Sequence, residues 1–217
     1  MAALPSAPEP HAMQLFYAPT SPYVRKVMAC AHLCGIVDRI ALLDSAAHPI
    51  RRDARIAAHN PLAKIPTLIL ADGAALYDSR VICEYIADLA GNDHLFPPAG
   101  PQRWRALTWQ ALGDGLLDAA LLARYEIAAR PPESQWQDWR AAQLKKVEAS
   151  LDELEPQAAS LAVQRPTIGE ITLGCALGYL DFRFAELDWR ATHPHTARWF
   201  DAFGQLPAMR ATTPRDA

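Results

Sequence analysis

Pro66 sits inside an apolar run from Ile65 to Leu70 that reads as a strand. Proline has no N–H to give to a ladder, so it belongs at the first residue of that strand or in a special turn. Asp72-Gly73 follows, a strong two-residue hairpin signal, and Ala75 to Tyr77 reads as the returning strand. Asp78-Ser79 then opens a helix carrying Val81, Ile82, Tyr85, Ile86 and Leu89 at helical spacing. A hairpin that enters through a proline and leaves into a helix is a narrow constraint on the topology around it.

The residues before Pro66 supply further elements, whose order the motifs described below fix. Gln14 to Tyr17 is a short strand, broken by Ala18-Pro19-Thr20-Ser21-Pro22. Tyr23 to Cys34 reads as a helix with Val24, Val27, Met28 and Ala31 on one face, and Gly35 stands at its C-terminal cap. Ile40 to Leu43 is a second strand. Strand–helix–strand, then two antiparallel strands and a helix, is the thioredoxin order. The first domain is therefore expected over 13–93. A linker over 94–102 contains Pro97, Pro98, Gly100 and Pro101.

Beyond the linker, 103–217 reads as all helix. Arg103 to Ala129 is one long apolar-periodic stretch, ended by Pro131-Pro132. Ser134 is the expected N-cap of a helix running to about Leu161. Thr167-Ile168-Gly169-Glu170 matches the capping box, a hydroxyl followed three residues later by a carboxylate. Ile171 to Leu180 behind it is almost wholly apolar, which predicts a central helix. Thr196 to Phe203 is a late amphipathic helix.

Composition removes several function classes. The net charge is -3, from 21 basic and 24 acidic residues, with no basic run for nucleic acid. No apolar run approaches the roughly 20 residues that span a bilayer. Residues 1–12 carry three prolines and none of the marks of a secretory signal. They read as a flexible tail, with a cytoplasmic location expected. Cys30, Cys34, Cys83 and Cys175 include no C-x-x-C pair, and the seven histidines show no ligand spacing. No metal site is expected, and the cysteines read as free thiols.

Three local features carry chemistry. Ser21-Pro22 places a small hydroxyl at a helix N-terminus, where free N–H groups and the dipole favour an anion. As an N-cap with proline at N1, the same pair also has a purely structural use. A cis Ile65–Pro66 bond would turn the backbone groups of Ile65 outward, free to pair with a peptide ligand. Ser79 at a helix start can offer its hydroxyl and N–H to a carboxylate, and Asp78 beside it can accept from an ammonium. Together they suit an amino-acid head group, although Ser79 could also be a plain N-cap.

These features, in this order and spacing, resemble the glutathione S-transferases. The similarity continues into the Thr167–Glu170 capping box and spans Met13 to roughly Met209. It implies an α/β thioredoxin-like N-terminal domain, an all-α C-terminal domain, and glutathione as co-substrate. By that comparison Pro66 is the family's cis-proline, and Ile65 pairs with the cysteinyl part of glutathione. Asp78 and Ser79 hold its γ-glutamyl end, and Lys64 reaches the glycyl carboxylate. Ser21 occupies the place of the first cysteine in the C-P-x-C of thioredoxin-like relatives, and Val24 that of the second. The site is then of serine type, as in bacterial members, and Ser21 is the catalytic hydroxyl. Tyr17 is its rival, because some classes use a tyrosine at the end of the first strand.

The resemblance further implies an apolar electrophile between the domains, with Trp104, Trp109, Leu112 and Tyr125 as candidate lining, together with a homodimer and a role in detoxification. The alternatives are a non-catalytic binding protein on the same fold, or a glutathione-dependent isomerase, dehalogenase or peroxidase.

Overall fold

The computed structural model describes residues 13–45 and 47–216; the expected N-terminal tail lies outside them. Four strands form one sheet in the order β2-β1-β3-β4. β1 is Met13–Tyr17, β2 Ile40–Asp44, β3 Thr67–Ile69 and β4 Ala75–Leu76. β1 and β2 run parallel, joined through helix α1 (Pro22–Leu33), while β3 and β4 are antiparallel additions. Helix α2 (Ala54–Ala57) anchors the long connection to β3 through buried Ile56. Helix α3 (Ser79–Leu89) packs on α1. The hairpin loop has three residues, Ala71 to Gly73, rather than the two expected: the Leu70 N–H donates to the Ala74 carbonyl at 2.8 Å and the Gly73 N–H to the Leu70 carbonyl at 2.9 Å, and Gly73 takes the left-handed position at φ 86°.

Hydrophobic pattern explains these placements. Met13 and Leu15 alternate with exposed Gln14 in β1. Val24, Val27, Met28 and Ala31 form the buried face of α1, and Ile82, Cys83 and Ile86 that of α3.

The second half is helical. α4 spans Pro101–Ala128, α5 Gln137–Leu154 and α6 Ile168–Arg183, followed by α7 (Trp189–Thr192), α8 (Pro194–Phe203) and α9 (Pro207–Ala211). α4 starts at Pro101 rather than Arg103. Gly100, at φ 82°, caps it and the proline takes the first helical position, where no N–H is needed. Ser134 does not cap α5. Pro132–Ser134 form a 3-10 turn, and the Trp136 N–H donates to buried Glu126 at 2.8 Å, so the helix begins at Gln137. It ends at Leu154, before Pro156, where a 3-10 segment takes over.

α6 is buried from Ile168 to Leu180, as a helix apolar on all sides must be. Its capping box is complete: Thr167 Oγ1 accepts from the Gly169 N–H at 3.2 Å, and Glu170 Oε2 from the Thr167 N–H at 2.9 Å. α4 and α6 run side by side in the same direction. A Cβ on Gly169 would stand 2.9 Å from the Ala106 carbonyl, and one on Gly113 would stand 2.9 Å from Thr172 Cγ2. The two helices touch backbone to backbone there, and this contact fixes their register.

Candidate active site

The sheet register gathers the chemistry-bearing residues at one end. Phe16 pairs with Thr67, and Leu68 with Leu76. One step further along each ladder, Tyr17 comes level with Pro66, and Asp78 follows β4 on the same side. The Ile65–Pro66 bond is cis, as is Tyr77–Asp78. Ser21 follows four residues after Tyr17, so Ser21, Ile65-Pro66 and Asp78-Ser79 surround one edge of the sheet.

Ser21 is the N-cap of α1, at φ -84° and ψ 120°. Its Oγ accepts from the Val24 N–H at 3.3 Å. That contact uses a lone pair and leaves the hydroxyl proton free to be donated. Proline follows at N1, and the helix dipole adds partial positive charge at the same place. Tyr17 is the last residue of β1, half-buried against the core. Lys64 is exposed, and its backbone carbonyl is held by Thr67 Oγ1 at 2.8 Å, which shapes the turn into Ile65.

Asp78, not Ser79, is the N-cap of α3, accepting from the Arg80 N–H at 2.9 Å. Its carboxylate also meets the Arg80 guanidinium at 2.6 Å. The hydrogen bond from Arg80 holds its carboxyl below the usual carboxylate range. Asp78 is therefore ionised at neutral pH and able to accept from an ammonium. Ser79 is buried as the first helical residue.

Beneath this edge lies a polar seam between the domains. Lys26 on α1 is fully buried and paired with Asp114 on α4 at 2.6 Å. One turn away the Tyr23 hydroxyl donates to Asp118 on α4. Arg25 is buried beside Gly178 of α6, with its Nη2 donating to the Met209 carbonyl at 3.3 Å. Composition and motif did not single out these residues. A signal existed: Tyr23 and Lys26 at i, i+3, and Asp114 and Asp118 at i, i+4, interrupt apolar helical faces.

The seam sets which part of α4 faces the site. α1 runs antiparallel to α4, Lys26 opposite Asp114 and Tyr23 opposite Asp118. Ser21, two residues before Tyr23, is thus level with the turn carrying Leu121 and Leu122. Tyr125 is one turn beyond, half-buried. Trp104, Trp109 and Leu112 lie back along α4 by about 25, 18 and 14 Å at 1.5 Å per residue. Trp104 is 66% exposed, and Trp109 is buried against Gly169 at the start of α6. The structure thus brings Tyr125 alone of the four to the Ser21 end of the cleft.

Among the described residues no group of three potential metal ligands occurs, and no helix is long and apolar enough to cross a membrane. All four cysteines are free.

A parallel-antiparallel sheet opening through a cis-proline, joined to a helical domain around a capped central helix, defines a two-domain thioredoxin-like class. Comparison with known proteins narrows this. Residues 20–89 match the family model for the glutathione S-transferase N-terminal domain, and 137–202 that for the C-terminal domain. The chain is 30% identical to the uncharacterized GST-like protein YibF of Escherichia coli, over 94% of this chain and all of that one. A glutathione transferase family member from Pseudomonas fluorescens Pf-5, with bound glutathione, superposes with a TM-score of 0.90 at 46% identity, over 94% of this chain and 99% of that one. A second structure described in the same way, with bound S-(propanoic acid)-glutathione, gives 0.86 at 44% identity over 94% and 100%. The chain belongs to the glutathione S-transferase family.

Proposed function

We propose that the chain is a glutathione-conjugating transferase of serine type. The observation that carries this reading is Ser21: a hydroxyl with a free proton at a helix N-terminus, on the sheet edge that also bears Ile65-Pro66 and Asp78-Ser79. The glutathione bound in similar structures supports the ligand. The S-substituted glutathione in one of them supports occupancy on the far side of the sulfur.

In this reading Asp78 accepts from the γ-glutamyl ammonium, and Ser79 donates to its carboxylate. The backbone of Ile65, turned by Pro66, pairs with the cysteinyl part, and Lys64 meets the glycyl carboxylate. Ser21 donates to the sulfur. A thiol titrates near 8.5, and lowering this by about two units requires about 2.7 kcal/mol. One charge-assisted hydrogen bond and the helix dipole supply most of it. The proton leaves to solvent, the thiolate attacks an electrophilic carbon, a C–S bond forms and the leaving group departs. Position 21 has no thiol, so disulfide exchange through that residue is not available.

A reducing, cytoplasmic setting and a role in detoxification suit four free cysteines and this chemistry. A homodimer suits the apolar side chains that α3 and α4 leave exposed, Val81 and Trp104 among them. The ligand assignment is tested at Ser79. Ser79→Ala removes one donor to a carboxylate and weakens glutathione binding by about 1–3 kcal/mol in calorimetry. Unchanged affinity removes Ser79 from the site.

A further inference from the structure

The register that places Ser21 also shows what lies beyond it. On α6, Gly169 meets Ala106 and Trp109 of α4, and Thr172, about one turn on, meets Gly113. Continued along two helices running in the same direction, this brings Arg183 level with Arg124. Tyr179 lies one turn nearer, beside the turn of α4 that faces Ser21. Through α4, Ser21 is level with the turn of α6 that carries Tyr179 and Leu180, and the Arg25 guanidinium reaches Gly178 in that same turn.

The wall above the thiol position therefore has two layers. The nearer is apolar, at half-buried Leu121, backed by the buried ring of Tyr179. The farther, about one helical turn on, sets the half-buried rings of Tyr125 and Phe182 beside the guanidinium groups of Arg124 and Arg183, their neighbours in the chain. Among the described residues Arg124 has no carboxylate within salt-bridge distance. Arg183 lies over the Phe182 ring, 3.7 Å from its centroid, and meets Asp216 at 2.8 Å. Asp216 is exposed and belongs to a terminal segment without regular structure. Arg183 thus holds an exposed carboxylate of the chain itself, the group that an incoming carboxylate displaces. Both guanidinia act on the phenol of Tyr179, whose burial pushes it up to about 12. Tyr179 therefore stays a neutral hydrogen-bond donor beside them.

The acids nearby are occupied elsewhere. Asp118 lies about 9 Å back along α4 and accepts from Tyr23. Asp181 meets Arg190 at 2.7 Å, and Glu126 meets Arg130 at 2.9 Å.

Resting on the transferase reading above, we propose that the electrophile is an aryl or similarly flat acid. Its apolar body lies on Leu121, Tyr125 and Phe182, and Arg124 and Arg183 receive a carboxylate remote from the reacting carbon. Both arginines are specificity residues for the electrophile and leave the chemistry at sulfur to Ser21.

The test compares 4-chloro-3-nitrobenzoate with its methyl ester. In both, the thiolate displaces chloride from the ring carbon, so glutathione and aryl chloride give thioether, chloride and a proton. Each rate is divided by its uncatalysed rate. The acid is favoured in kcat/KM by about tenfold or more, chiefly through KM, and Arg124→Gln and Arg183→Gln each reduce the acid-to-ester ratio by about tenfold. An ester used as well as the acid, or a ratio that neither substitution moves, overturns the proposal. Failure to bind glutathione in calorimetry, or to accelerate either compound, instead overturns the transferase reading on which it rests.

Discussion

Lys26→Met isolates the ion pair that joins the two domains. Lys26 is 0% exposed and Asp114 7%, with Nζ and Oδ1 2.6 Å apart. Asp114 Oδ2 has no partner among the described residues, and burial already raises its carboxyl above the usual range despite the pull of Lys26. Methionine matches the lysine stem and removes only the charge. A buried carboxylate is then left uncompensated, which costs about 3–5 kcal/mol. Replacing both partners, as Lys26→Met with Asp114→Leu, removes the stranded charge and recovers most of that loss. Urea unfolding of the wild type, the single variant and the double variant measures both quantities. The same variants test position, because the pair sets the level of α4 against Ser21. A cost below about 1 kcal/mol for Lys26→Met refutes the reasoning, as does a double variant no more stable than the single.

Gly113→Ala places a methyl 2.9 Å from Thr172 Cγ2 and 3.1 Å from its carbonyl carbon, so α4 and α6 must separate. The expected cost is about 1–3 kcal/mol by thermal or chemical unfolding, and an unchanged midpoint contradicts the close approach. Tyr179 gives a pH dependence. Its folded value of about 12 lies above the ordinary phenol value of 10.0, so the unfolded chain loses that proton first. This contribution to stability is complete below about pH 10 and declines above it, by about 1.4 kcal/mol per unit at most. Tyr179→Phe flattens the decline between about pH 10 and 11 in unfolding experiments, and an unaltered slope counts against a buried neutral phenol.

Much of the thioredoxin-like half was legible because local chemistry determines it. Asp72-Gly73 demands a turn, Ser21-Pro22 a helix start, and Pro66 a strand's beginning, whatever surrounds them. The Thr167–Glu170 box was equally readable, since its two hydrogen bonds are made within four residues. The electrophile end of the site was not. Trp104, Trp109, Leu112 and Tyr125 share one long helix, and aromatic content cannot tell which end of it meets α1. That choice rests on Lys26 with Asp114 and Tyr23 with Asp118, pairs far apart in the chain whose members look like ordinary surface charges and an ordinary aromatic. The start of α5 escaped for a related reason: Ser134 has the right chemistry for a cap, but buried Glu126, from the preceding helix, draws the chain so that Trp136 takes the position.

The central claim, that Ser21 stabilises a glutathione thiolate, is tested most directly by titrating the ultraviolet thiolate band of bound glutathione in the wild type and in Ser21→Ala and Tyr17→Phe. The wild type should titrate about two units below a free thiol. Ser21→Ala should return the titration upward by about one unit or more while glutathione still binds, and Tyr17→Phe should leave it in place. A thiolate that titrates normally in Ser21→Ala but is lost in Tyr17→Phe contradicts the account and assigns the role to Tyr17.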